Sequence, residues 1–196
     1  DLSVLKSRMV GGLFIGLESA DADMLSRLNK THDVDKYLAQ GARLIEEFRE
    51  AGLPTVCSLI VPGPKETKDS MERTFNFVLK ARPDFTPVLP LMPMPGTPIA
   101  KWGVEQGIRC SPDYERELLV YELDLHKPKE EWAKPPYALE VGGVFVDNPF
   151  LVTSGFAARL KEHGFVPCSD EIVLMADRYF GGLPSGQDER RRVCLE

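Results

Sequence analysis

Leu53-Pro-Thr-Val-Cys-Ser-Leu-Ile-Val61, followed at once by Pro62-Gly-Pro64 and Thr67, is the stretch on which the fold turns. The run is uncharged and rich in β-branched residues, and it ends in residues that force a tight loop. It therefore reads as a buried strand running into a turn. Thr67 offers an N-cap hydroxyl to a helix reaching about Arg82, with Met71, Phe75, Val78 and Leu79 on its inner face.

Working outward, Leu13-Phe-Ile-Gly-Leu17 is a second short apolar run behind Gly11-Gly12, again a buried strand. Ser19 to Asp23 reads as a helix start ahead of Met24, Leu25 and Leu28. A longer helix is expected from Val34 to Ala51, with Leu38, Ala42, Ile45 and Phe48 at helical spacing and Gly52 as its stop. On the other side, Phe85 to Leu91 is a third strand, weakened by Pro87 and Pro90, and Ile99 to Gln106 is expected to be helical after the loop Met92–Pro98. Strand and helix alternate, which implies parallel strands joined by right-handed crossovers. The pattern fits one side of an open α/β sheet or a segment of a larger barrel, and does not choose between them.

The texture changes from Ser111. A helix is expected from Tyr114 to Leu125, a charged, proline-rich linker from Lys127 to Pro136, and a hairpin from Ala138 to Val146 around Gly142-Gly143. A helix from Phe150 to His163 stops at Gly164, Phe165-Val166 is extended, and Glu171 to Phe180 forms a last helix. The division expected is residues 1–108 as the α/β unit and 109–196 as a small α+β extension.

The 196 residues are enough for a real core, and 43% hydrophobic with 28% charged residues is a globular profile. No apolar run is long enough to span a membrane and the opening residues are no signal peptide, so a cytoplasmic setting is expected. The net charge of −6 argues against a dedicated nucleic-acid surface; the one dense basic run, Arg190-Arg191-Arg192, reads as a solvated tail. Cys57, Cys110, Cys168 and Cys194 are too far apart for a zinc site or a cluster loop, and no metal ligands are assigned. His32, His126 and His163 are scattered in the same way.

Ligands in parallel α/β folds bind beyond the C-terminal strand ends. Three loops qualify: Gly16–Ser19, Pro62–Thr67 and Met92–Pro98. Glu18 follows an apolar strand end directly and needs partners beside a low-dielectric core. It is either a ligand-binding carboxylate or a solvated loop acid, with Ser19 as a helix cap in the second case. Gly63 and Gly96 permit a tight turn or close backbone approach, and the surrounding prolines make a rigid, mostly apolar rim. Met92 and Met94 read first as core filling.

Together the three loops resemble the radical S-adenosylmethionine (radical SAM) enzymes. Gly16-Leu-Glu-Ser-Ala-Asp-Ala-Asp-Met-Leu-Ser-Arg-Leu-Asn-Lys30 resembles that family's fourth-strand segment. Ala51 through Thr67 resembles its fifth strand and Gly-x-Pro-x-Glu-Thr loop, and Leu91-Met-Pro-Met-Pro-Gly-Thr-Pro98 its sixth. The resemblance covers about residues 9 to 107. It implies an α/β chain forming the C-terminal half of a partial (βα)6 TIM-like barrel. Glu18 and Ser19 would contact the ribose or amino-acid part of S-adenosylmethionine, Ile60, Val61 and Gly63 would line the adenine, and Met92 and Pro93 would complete that wall. The family's cluster loop, Cys-x-x-x-Cys-x-x-Cys, is absent here. The ligands of the 4Fe–4S cluster are therefore expected upstream, on the missing N-terminal half of the barrel, and this chain alone is expected not to cleave the cofactor.

The wording of the first and third motifs is most like the subgroup with an upstream cobalamin domain. That implies a cobalamin-dependent methyltransferase or ring-remodelling enzyme acting on a small molecule, with the extension shaping the pocket. Alternatives within the family are a tRNA methylthiotransferase or a coproporphyrinogen-type oxidase. Outside it stand a non-catalytic half-barrel binding domain and an aldolase barrel fragment, for which Lys65 is the near candidate.

Overall fold

The computed structural model describes residues 12–118, 134–165 and 167. In chain order the elements are β1 (Leu13–Glu18), α1 (Ala22–Arg27), α2 (Val34–Glu50), β2 (Thr55–Ile60), α3 (Lys68–Ala81), β3 (Val88–Leu89), β4 (Ile108–Cys110), β5 (Tyr137–Val141), β6 (Val144–Val146) and α4 (Pro149–Glu162). Residues 114–118 are also helical. β1, β2 and β3 make one parallel sheet in that order, and β4, β5 and β6 an antiparallel one, so the chain is α/β with both sheet types.

The helices follow from their ends. Thr67 and Ser70 cap α3 reciprocally, each side chain accepting from the other's backbone N–H at 3.1 and 2.9 Å. α1 is capped by Asp21 rather than Ser19, its Oδ1 accepting from Met24 N at 3.0 Å. Asp33 caps α2. Gly142 and Gly143 have φ of 59° and 84°, the left-handed pair that a two-residue hairpin requires, so β5 and β6 form the hairpin expected there.

β3 is shorter than the segment expected because Pro87 and Pro90 have no N–H to donate. The backbone still follows β2 along its length. Phe85 N donates to Thr55 O at 3.0 Å, Cys57 N to Phe85 O and Leu59 N to Pro87 O at 2.8 Å, and Leu91 N to Pro62 O at 2.9 Å. The single helix expected over Ile99–Gln106 is instead two 3-10 turns, Ile99–Lys101 and Val104–Gln106, parted by extended backbone at Trp102 and Gly103. The expected helices beyond Leu118 and from Glu171, most of the Lys127–Pro136 linker, His126, Cys168, Cys194 and the arginine run lie outside the described residues.

The helices cover one face of the parallel sheet. Leu17, Cys57, Leu59 and Val61 meet Ile45 of α2, Phe75 and Val78 of α3, and Phe156 and Leu160 of α4 there. The other face is uncovered at both edges: Phe14 is 62% exposed and Leu89 55%. A second core gathers residues beyond the strand ends, Met24 and Leu91, with Ile108, Tyr114, Tyr137 and Leu139. Ile60 and Met92 pack on its margin. Among the described residues no helix is long and apolar enough to cross a membrane.

Candidate functional site

The site begins where β1 loses its register. β1 and β2 pair regularly from Leu13–Thr55 to Gly16–Ser58, then slip so that Glu18 faces Leu59. The bulge disturbs the ladder and re-aims the residues beyond it. Glu18 has φ of 69°, and Ser19 N donates to Leu17 O at 2.9 Å, which makes the positive-φ form of a γ-turn. The turn brings the carboxylate back over Gly16, where a Cβ would come within 2.7 Å of Glu18 Oε1. Strand alternation puts Gly16 on the same uncovered face as Phe14. Lys30 Nζ meets Oε1 at 2.9 Å and donates to Gly16 O at 3.3 Å.

Ser19 takes a different direction. It is fully buried, its Oγ lies 3.2 Å from Thr74 Oγ1 of α3, and it accepts from Asp21 N at 3.0 Å. Its hydroxyl joins the turn to α3, while Glu18 faces the open side.

The second loop is built around a buried acid. Val61 to Pro64 are buried, with a cis peptide at Val61–Pro62. Glu66, 3% exposed, accepts from Gly63 N at 2.7 Å through Oε2 and from Ser70 Oγ at 3.3 Å through Oε1. Burial pushes the Glu66 carboxyl up to about 7; the Gly63 N–H pulls it down, the Asp21 charge adds to the rise, and Ser70 and Arg73 oppose it. A Cβ on Gly63 would fall 2.1 Å from Met24 Cε, so the glycine lets α1 close onto the loop. Arg73 Nε donates to Asp21 Oδ2 at 3.1 Å, fastening α3 to the start of α1.

The later part of the chain grips the same loop. Lys65 N donates to Glu140 O at 2.6 Å, Gly142 N to Glu66 O at 2.8 Å, and Glu140 N to Gly107 O at 2.8 Å. Thr153 Oγ1 of α4 donates to Val61 O at 2.6 Å. In the third loop Met92 is half-buried and Pro93 buried, and the Tyr114 hydroxyl donates to Pro93 O. Ile60, Met92 and, through Met24, Gly63 thus share one apolar margin. Glu18 ends a strand parallel to β2 and β3, at the same edge of the sheet.

The two described thiols, Cys57 and Cys110, do not suit a metal. Burial, with the Glu18 charge adding to it, pushes the Cys57 thiol up to about 12, and burial also raises Cys110. Among the described residues no three His, Cys, Asp or Glu side chains group to hold a metal ion. Two surface clefts lie apart from the rim. One of about 1040 Å³ opens between the starts of α1 and α2 and the face of α3, lined by Asp21, Asp33, Arg73 and Phe77. One of about 590 Å³ is lined by Trp102, Arg109, Cys110 and Tyr114. Neither is lined by Glu18, Gly63, Met92 or Pro93.

No protein-family model matches the chain. Two curated proteins are similar over part of it. A probable threonylcarbamoyladenosine tRNA methylthiotransferase of Pyrococcus abyssi is 29% identical over 92 residues, 46% of this chain and 21% of that protein. Its namesake in Pyrococcus horikoshii is 29% identical over 90 residues, with the same shares. The chain therefore matches about a fifth of the length of these relatives.

Sequence reasoning passed over Lys30, although it closes the motif string beginning at Gly16. Spacing gives no sign that the chain returns to Glu18 after α1. It also passed over Glu66 as a buried acid, because a loop carboxylate between prolines and a cap reads as solvated.

Proposed function

We propose that this chain supplies the later strands of a radical SAM barrel and the ribose and adenine side of its S-adenosylmethionine site. The parent enzyme on this reading is of the tRNA methylthiotransferase type. The observation that carries it is the Glu18 carboxylate, turned back over Gly16 on the uncovered sheet face beside Lys30. Three parallel strands in chain order, with the motif loops at one edge, support it, as does the partial similarity to the two methylthiotransferases. The cobalamin-dependent assignment rests only on the wording of the first and third motifs, so the relatives favour the other.

The residues present suit a nucleoside with a zwitterionic tail. Glu18 can accept from ribose hydroxyls or an ammonium, and Lys30 can donate to a carboxylate. Ile60 and Met92 offer a half-exposed apolar wall for a flat base, backed by the buried Val61, Gly63 and Pro93. The bound cofactor would supply a reducible sulfonium; these side chains bind it, orient it and keep water from its base. The sequence has no Cys-x-x-x-Cys-x-x-Cys loop, and no ligand set for a 4Fe–4S cluster groups among the described residues, so on this reading the cluster's thiolates lie elsewhere in the parent. On this reading the main polynucleotide contact lies on other parts of the parent, and the net charge of −6 on this chain supports that.

Titration calorimetry tests the site: the 196-residue chain binds S-adenosylmethionine, and Glu18→Gln weakens binding about tenfold. No binding, or equal binding by the variant, overturns it. For the reaction, the full-length parent is assayed with S-adenosylmethionine, a reductant and tRNA, reading methylthiolated adenosine by mass spectrometry. Cobalamin-dependent methylation of a small molecule in place of that product would favour the other subgroup.

A further inference from the structure

Glu18 holds a backbone conformation that side-chain-bearing residues rarely adopt, and something must stabilise it. Tyr37 sits in the first turn of α2, and its hydroxyl crosses to the end of β1. It lies 3.0 Å from Gly16 O and 3.3 Å from Leu17 O, sharing its proton between them. These carbonyls flank the bulge, where the ladder to β2 slips. Leu17 O is also the acceptor of the γ-turn bond from Ser19 N. Its peptide plane leads directly into the φ rotation of Glu18.

We propose that Tyr37 is a positioning residue for Glu18: by holding the Gly16 and Leu17 carbonyls it fixes the left-handed turn that carries the carboxylate over Gly16 to Lys30. The proposal rests on the S-adenosylmethionine reading for its functional meaning, though not for its geometry. The phenol is half-buried against the bulge, and its pKa is raised by burial first and then by the nearby Glu18 charge, which agrees with the two groups lying near one another at the strand end. Without the hydroxyl, α2 still packs through Leu38, Ala42 and Ile45, so the loss falls on the turn and not on the helix.

The test is Tyr37→Phe in the 196-residue chain, read in two ways. The first needs no ligand: the Cα and Cβ carbon shifts of Glu18, which report its φ, leave the left-handed range in the variant. The second is S-adenosylmethionine affinity, which falls about fivefold, the worth of roughly one ordinary hydrogen bond. Unchanged Glu18 shifts overturn the proposal, and so does an affinity equal to that of the parent chain. If the shifts move but the parent chain binds no S-adenosylmethionine, the positioning role stands and the cofactor reading falls. Should Tyr37→Phe unfold the chain, Glu18→Gly settles the geometry, because glycine adopts the turn without strain. Tyr37→Phe then leaves the chain folded in the Glu18→Gly background, and a double variant that still fails to fold overturns the proposal.

Discussion

Between about pH 4.5 and pH 7 the chain is expected to lose stability through Glu66, and the size of that loss depends on where the carboxyl sits. The group titrates at 4.5 when solvated and at about 7 in the folded chain, with burial as the largest cause. In that window the native state binds the proton that the unfolded state has released. Stability contributed by the protonated group is therefore complete below 4.5, declines as pH rises, and is gone above about 7. The shift corresponds to about 3 kcal/mol. Glu66→Gln keeps an oxygen for the Gly63 N–H but cannot ionise. Urea midpoints of both proteins across the range isolate the effect, since every other titrating group is common to the two. Parent and variant should be of similar stability at the acid end, with the variant ahead above neutral pH by roughly 1–2 M in midpoint. A difference that stays constant with pH, or grows in favour of the parent, refutes the buried-acid account of the loop.

Two further perturbations address the site and its support. Gly16→Ala places a methyl 2.7 Å from Glu18 Oε1 and 3.4 Å from Lys30 Nζ, so the carboxylate must leave its seat. The melting temperature should show a loss of less than about 1 kcal/mol, as for a partly exposed ion pair, while S-adenosylmethionine affinity drops about tenfold; retained affinity removes Glu18 from the site. Thr153→Val removes the donor 2.6 Å from Val61 O, and chemical denaturation should register a loss of about 1–2 kcal/mol. An unchanged midpoint would mean that α4 does not support the strand end.

The parallel sheet was legible because its cues are local. β-branched runs bounded by glycine and proline, and helices with a threonine cap and a regular apolar face, appear where the pattern puts them, as does the Gly142-Gly143 hairpin. The start of α1 falls within Ser19 to Asp23 as expected, with Asp21 as the cap while Ser19 is drawn to Thr74 on another helix. The reading failed where a local break changed the outcome. Extended backbone at Trp102 and Gly103 splits an apparently helical stretch. Glu18, Gly63 and Met92 could be picked out as candidates from motif wording, but the contacts around them could not. Lys30, Tyr37 and Thr153 act through contacts between separate elements, which no periodicity or spacing encodes; the side-chain bonds of Glu66 are local, but the hairpin that holds its loop lies far along the chain.

The clamp on the loop after β2 bears on how the chain is made. Lys65 and Glu66 complete their main-chain hydrogen bonds only with Glu140 and Gly142, and Val61 with Thr153. During synthesis the three parallel strands leave the ribosome well before those partners exist, and contacts of such sequence separation form slowly. The nascent sheet can assemble early, but the rim proposed to hold a nucleoside acquires its final outline only once the hairpin and α4 have emerged, so a stalled or shortened translation product would carry the strands without a finished rim.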